Sequence, residues 1–260
     1  MVTHSPHEEA TVQETVAVQY TRGQIAGIWA TAALPMAALS WGVAPWLAAQ
    51  LEGPTALPRA LLVCVTAGLV WQFVLVMFLV HRERGSLGWP VLKDALWLQP
   101  PRSPSSGRAG GRLWLWVILC VVLVGLEELI PTVPIPAGRD LGAFLQSDAG
   151  KAMFAGGWGW FTLFVALAVF NTVLGEELLF RGLLLPRMQG AFGRGDWAAN
   201  GILFAVYHVH VPWAIIPTGL VDTFAVAYPS RRYRSALFGI IVHSAQSVLF
   251  IALVLALVLQ

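Results

Sequence analysis

Charge is what this chain is short of. Of its 260 residues only 12% are Asp, Glu, Lys or Arg, against 57% hydrophobic. A soluble domain carries about 25% charged residues, so a water-soluble globule is excluded. Lysine is nearly missing, present only as Lys93 and Lys151, while arginine is frequent, a bias that hints at a GC-rich bacterial source. Cysteine is scarce as well: Cys64 and Cys120 both sit in apolar runs, where buried free thiols are expected and a disulfide is not. The first twenty residues are polar and acidic, with no basic segment leading into an apolar core, so no cleavable signal peptide is expected. The net charge of +2 is too small to hold a nucleic acid. The sequence also has no internal repeat.

What the chain has instead is long apolar runs. A stretch of about 18 or more apolar residues reads as a membrane span. Such runs cover 24–47, 60–80, 113–130, 158–180 and 235–258. The run at 198–211 is shorter, about 21 Å as a helix, and Pro212 breaks it. The next, 213–228, is interrupted by Pro217 and Gly219. The expectation is an all-α polytopic transmembrane bundle of about 7–8 membrane helices, some short or broken. Broken helices are tolerated at membrane depth where they pack on protein or line a wet cavity. They cluster in the C-terminal half, which marks 155–260 as the working core. Residues 1–23 form a tail, and 24–154 form supporting helices with a linker near 82–112 that is rich in Pro, Gly and Ser over 100–112. Trp89, Leu92, Leu96 and Trp97 fit a short amphipathic helix in the interface, or an ordinary loop.

Cationic residues set the orientation. With the N-terminus in the cytoplasm, Arg22, the 82–112 loop, a 181–196 loop holding Arg181, Arg187 and Arg194, and Arg231, Arg232 and Arg234 all fall inside. Only Arg59, Arg139 and Lys151 fall outside. The expected location is a bacterial inner membrane with membrane lipid as a constant partner.

Ionisable groups at membrane depth are expensive, so each one is a functional-site hypothesis. Glu176, Glu177 and Arg181 lie at the end of the 158–180 run. Residues four apart are helix neighbours, so Arg181 can hold Glu177. Glu176 points about 100° away, toward Val173, Leu179 and Phe180. Left unpaired in a poorly solvated place, it is suited to take a proton from water. The competing reading is a plain interfacial charge cluster. Glu127 and Glu128 serve as a control: Pro131 and Thr132 stand four residues on, no arginine is available, and an interfacial structural role is expected. His208 shares a face with Phe204, and His210 points away beside the Pro212 break. His243 lies a third of the way into the last span, with Gln246 and Ser247 one turn on. Asp222 is a further intramembrane carboxylate in an irregular neighbourhood.

Glu-Glu-x-x-x-Arg at 176–181, Phe-x-x-x-His at 204–208 and a later histidine on the last helix, in that order, resemble the CAAX-protease and bacteriocin-processing (CPBP) family of intramembrane endopeptidases. The resemblance covers about 155–250. It implies an all-helical membrane fold, a conical cavity open to the cytoplasm, and hydrolysis of peptide bonds in prenylated CAAX proteins or bacteriocin-like peptides. It further implies that Glu176 and His208 activate water and that His243 helps stabilise the oxyanion, with Glu177, Arg181, Phe204 and Ser247 in support. Members usually carry Asn four residues after the last histidine, whereas this chain has Ser247. That departure keeps open an inactive scaffold or immunity protein of the same fold. A small transporter is the third reading, opposed by the lack of paired broken helices. Two histidines and a glutamate could bind zinc and leave a place for water. No His-Glu-x-x-His pair is present, and metal-free chemistry is favoured.

Overall fold

The computed structural model describes residues 18–260, apart from the Glu128 side chain. The first seventeen residues of the tail therefore lie outside the described residues. The described chain is helical, and its one β-bridge joins Arg102 to Ala109. Among the described residues, four helices are long and apolar enough to cross a membrane: α1 (Arg22–Ala48), α2 (Ala56–Arg84), the long helix Trp158–Arg187 and the last helix Ala236–Val258. Their 23 to 30 residues reach about 35–45 Å, more than the roughly 30 Å of hydrocarbon to be crossed. Shorter helices complete the bundle. In chain order they are α3 (Trp89–Ala95), α4 (Leu115–Gly125), α5 (Leu141–Gln146) and α6 (Asp148–Phe154), before the long helix α7. After it come α8 (Asp196–Tyr207), α9 (Ile215–Asp222) and α10 (Tyr228–Tyr233), before the last helix α11.

Local chemistry explains the boundaries. Thr21 and Gln24 close a reciprocal capping box at the start of α1. α2 ends on Gly85 at φ 69°, a left-handed turn that glycine takes without a Cβ penalty. Ser235 caps α11 by accepting the Phe238 N–H. Pro212 ends the α8 segment as its ring geometry requires, after a tight turn at His208–His210. The 89–97 segment is a helix, with Trp89 exposed and Leu96 wholly buried.

Large apolar side chains cover the outside: Leu34, Phe78, Ile118, Ile202 and Leu249 are each about 60% exposed. Water would not tolerate so much apolar surface, and lipid does. The largest core lies where α1, α2, α7 and α8 meet, around Met36, Leu69, Phe180, Phe204 and Tyr207. Gly68 makes the α1–α2 approach possible: a Cβ there would stand 2.7 Å from the Met36 sulfur.

The structure corrects the sequence reading at two places. The run 113–130, expected to span, forms only a shorter apolar helix, Gly111–Gly125. The 158–180 run does not stop at the acidic motif but continues as α7 to Arg187. Arg181 and Arg187 are therefore not loop charges, and both are wholly buried. Arg187 reaches across to α2. Its Nε and Nη2 donate to Glu83 at 3.0 and 2.7 Å, and its Nη1 donates to the Ala95 and Leu183 carbonyls. The Tyr20 hydroxyl joins the same Glu83 carboxylate, and burial together with that contact raises the Tyr20 pKa. Arg22 donates to the Ala191 carbonyl, and Arg231 pairs with Asp196. These contacts gather the cationic helix ends at one end of the bundle. Arg139 lies at the other end, over the Trp41 ring at 3.8 Å and bonded to Ser40. Burial pushes its guanidinium pKa down.

Candidate active site

Glu176 and Glu177 sit well inside α7, eleven residues or about 17 Å from Arg187. Both carboxylates are buried, at 2% and 0% exposure. A buried charge must be paired or hydrogen-bonded, and the structure provides for each differently. Glu177 Oε1 lies 3.3 Å from Arg181 Nη1, the pair expected from four-residue spacing. The same oxygen lies 3.2 Å from His243 Nδ1 on α11. Gly239 lets α11 come so close, since a Cβ there would stand 2.5 Å from Glu177 Oε2.

Glu176 has no cationic partner at ion-pair distance among the described residues. It is held by neutral donors. With its amide turned nitrogen-inward, Asn171 donates to Glu176 Oε1 at 2.9 Å. Asn171 precedes Glu176 by five residues, a spacing that a regular helix would place about 140° apart. The wide, π-type turn Phe170–Gly175 brings the two together. Such turns are frequent at functional sites. Tyr207 turns its hydroxyl toward Glu176, and Gln72 Nε2 on α2 donates to the Tyr207 oxygen at 2.6 Å. Gln72, Asn171 and Tyr207 were missed by the sequence reading. A glutamine in the middle of the apolar 60–80 run was the available signal for the first.

Phe204 is the hub. Its ring lies 4.9 Å from His208 and 6.0 Å from His243, both edge-on, and the Arg181 guanidinium stands over it at 4.0 Å. Among the described residues Arg181 makes no hydrogen bond with any nitrogen, so charge and the aromatic face hold it. His208 Nδ1 faces the Phe204 carbonyl at 2.9 Å. A carbonyl can only accept, so Nδ1 carries the proton and neutral His208 keeps a lone pair on Nε2. His243 similarly presents Nδ1 to Glu177, leaving its Nε2 for another partner.

His210 is buried, with Nδ1 3.4 Å from the Tyr207 carbonyl and its ring stacked on His208. Glu127 accepts from Thr218, while the side chain of Glu128 lies outside the described residues. Asp222 is buried and is an electrostatic neighbour of His243, Arg181 and Glu177, closer to the cluster than its sequence setting implied. Ser247 is half-buried and has no hydrogen bond among the described residues to the Glu177–His243 pair, whereas Ser244 donates to Thr172 at 3.0 Å. No group of three or more His, Cys, Asp and Glu is arranged to hold a metal ion among the described residues.

The fold and the cluster define a class: a helical integral membrane protein with two carboxylates, an arginine and two histidines gathered among its apolar helices. Residues 158–249 match the family model described as type II CAAX prenyl endopeptidase Rce1-like. The match runs from α7 into α11 and supports the resemblance to the CPBP family. No curated protein and no solved structure matches the chain.

Proposed function

We propose that this chain is an intramembrane endopeptidase that hydrolyses a peptide bond in a membrane-associated protein or peptide, of CAAX or bacteriocin-like type. The observation that carries it is the gathering of Arg181, His208 and His243 around Phe204, with Glu177 between Arg181 and His243 and Glu176 an electrostatic neighbour of the same pair, from three different helices. Glu176 and the free Nε2 of His208 share the work of taking a proton from water as it attacks the scissile carbonyl. The proton then passes to the leaving amine. His243, as the imidazolium paired with Glu177, directs its Nε2–H at the oxyanion. Arg181 positions Glu177, and Asn171 and Tyr207 position Glu176. Asp222 adds negative charge beside His243.

The N-terminus and the arginine-rich end face the cytoplasm of a bacterial inner membrane, as the charge bias requires. Residues 24–154 support the 155–260 core. We favour metal-free hydrolysis, in which both histidines anchor Nδ1 on protein partners and keep Nε2 for the water and the oxyanion.

The second reading is an inactive scaffold or immunity protein of the same fold. Ser247, which has no hydrogen bond to the Glu177–His243 pair among the described residues, is the feature that favours it. The deciding experiment is cleavage of a prenylated CAAX peptide and of a double-glycine leader peptide by the protein in liposomes. Glu176→Gln and His208→Ala are expected to lower turnover by about 10²–10⁴. If both variants turn over like wild type, the hydrolytic reading fails; if folded wild type cleaves neither peptide nor any membrane protein offered, the scaffold reading stands.

A further inference from the structure

A concave site lies apart from the Glu176 cluster. A cleft of about 660 Å³ opens between the 102–107 turn, the start of α8 and the end of α10. Five arginines line it: Arg102, Arg194, Arg231, Arg232 and Arg234. One carboxylate lines it too, but Asp196 is 1% exposed and already committed, pairing with Arg231 Nε at 2.5 Å and accepting from the Trp197 N–H at 2.8 Å. Arg102, Arg194 and Arg232 have no carboxylate at ion-pair distance among the described residues. The 102–107 turn is built rather than loose. Arg102 N–H donates to the Tyr233 carbonyl at 2.9 Å, and Gly107 N–H donates back to Ser103.

The surroundings of the cleft specify its ligand. Trp197 and Tyr228 line it edge to face, 5.1 Å apart. Aromatic residues of this kind favour the headgroup level of a bilayer. From Tyr228 a stripe of exposed side chains runs back into the apolar zone: Phe224 at 60%, Leu220 at 57% and Ile216 at 56%. The four residues fall at intervals of four, so they form one track along α9 and the turn after it. A guanidinium fork grips two phosphate oxygens at once, and several forks around one group exclude neutral headgroups. Inorganic phosphate would satisfy the arginines but has no use for the apolar track.

We propose that this cleft is a binding site for an anionic phospholipid. The arginines take the phosphodiester of the headgroup, and the acyl chains lie along Ile216, Leu220 and Phe224. None of Glu176, His208 and His243 lines the cleft, so the site is independent of the hydrolytic reading.

The test uses the full-length protein in phosphatidylcholine vesicles with trace spin-labelled lipids. Electron paramagnetic resonance reads the fraction of each label immobilised on the protein. Labelled phosphatidylglycerol is expected to be preferred over labelled phosphatidylcholine by at least about fivefold, the gain from one well-placed arginine. The triple variant Arg102→Ala, Arg194→Ala, Arg232→Ala should lose that preference. A control triple, Arg82→Ala, Lys93→Ala, Arg108→Ala, removes equal charge outside the cleft and should keep it. Arg232→Gln alone, at an exposed side chain, should lower the preference at least twofold and serves if the triple does not fold. Three results would overturn the proposal: no preference in wild type, equal loss in the two triples, or displacement of the labelled lipid by millimolar inorganic phosphate at constant ionic strength. The last would make the cleft a soluble-phosphate site.

Discussion

Arg181→Ala should cost folding, and Glu176→Gln should not. In wild type, Glu177 is completely buried between Arg181 Nη1 at 3.3 Å and His243 Nδ1 at 3.2 Å, and its Oε2 has no hydrogen bond among the described residues. Removing Arg181 leaves that carboxylate with one partner. Breaking a buried pair from one side costs about 3–5 kcal/mol. The guanidinium over Phe204 at 4.0 Å adds about 2 kcal/mol when it is lost from a desolvated site. For a chain of this length each kcal/mol lowers the melting temperature by about 2–4 °C, so a fall of at least about 10 °C is expected. Glu176→Gln keeps the shape, and its amide oxygen can still accept from Asn171 and Tyr207. Its melting temperature should move by less than about 3 °C, while turnover collapses. Intrinsic fluorescence of the twelve tryptophans during a thermal ramp in detergent, with the yield of monodisperse protein, measures both. Adding Glu177→Gln to Arg181→Ala removes the stranded charge and should recover at least half of the loss. Equal melting temperatures for Arg181→Ala and Glu176→Gln, or no recovery in the double variant, would refute the division of roles between the two carboxylates.

Ser247→Asn should leave peptide turnover unchanged or raise it, because an amide one turn beyond His243 reaches farther than a hydroxyl. His243→Ala should lower turnover by about 10²–10³, the usual cost of one oxyanion donor, and wild-type rates in that variant would end the catalytic reading of α11. Gly239→Ala places a methyl 2.5 Å from Glu177 Oε2 and 3.0 Å from Ser230 Oγ, so α11 must shift. A loss of about 1–3 kcal/mol is expected, with a larger fall in turnover than in folded yield, and a fully active variant would show that the His243–Glu177 distance is not critical. Single cysteines in the 82–112 loop, at Arg108 for instance, should react with an impermeant maleimide only after the cells are opened. The native Cys64 and Cys120 are buried and give little background. Labelling of intact cells would reverse the orientation.

The sequence alone determined the class of this protein and the local pairs. Membrane insertion follows from apolar runs, which are properties of contiguous residues and need no knowledge of the fold. The Glu177–Arg181 and Phe204–His208 pairs follow from four-residue spacing on one helix, which is equally local. Tertiary structure decided what depends on distant partners or on departures from regular helix. Arg181 and Arg187 read as loop cations because burial of an arginine is invisible until its partner is known, and the partner of Arg187 is Glu83, 104 residues away. Asn171 faces Glu176 only because the helix widens at Phe170–Gly175, against the ordinary 3.6-residue period. Gln72 and Tyr207, on helices separated by 135 residues, meet beside that carboxylate. The contact of His243 with Glu177 depends on a glycine at position 239 that lets two helices touch. Local spacing could propose which groups are chemical, but only the packing of α2, α7, α8 and α11 decides which of them share one small volume.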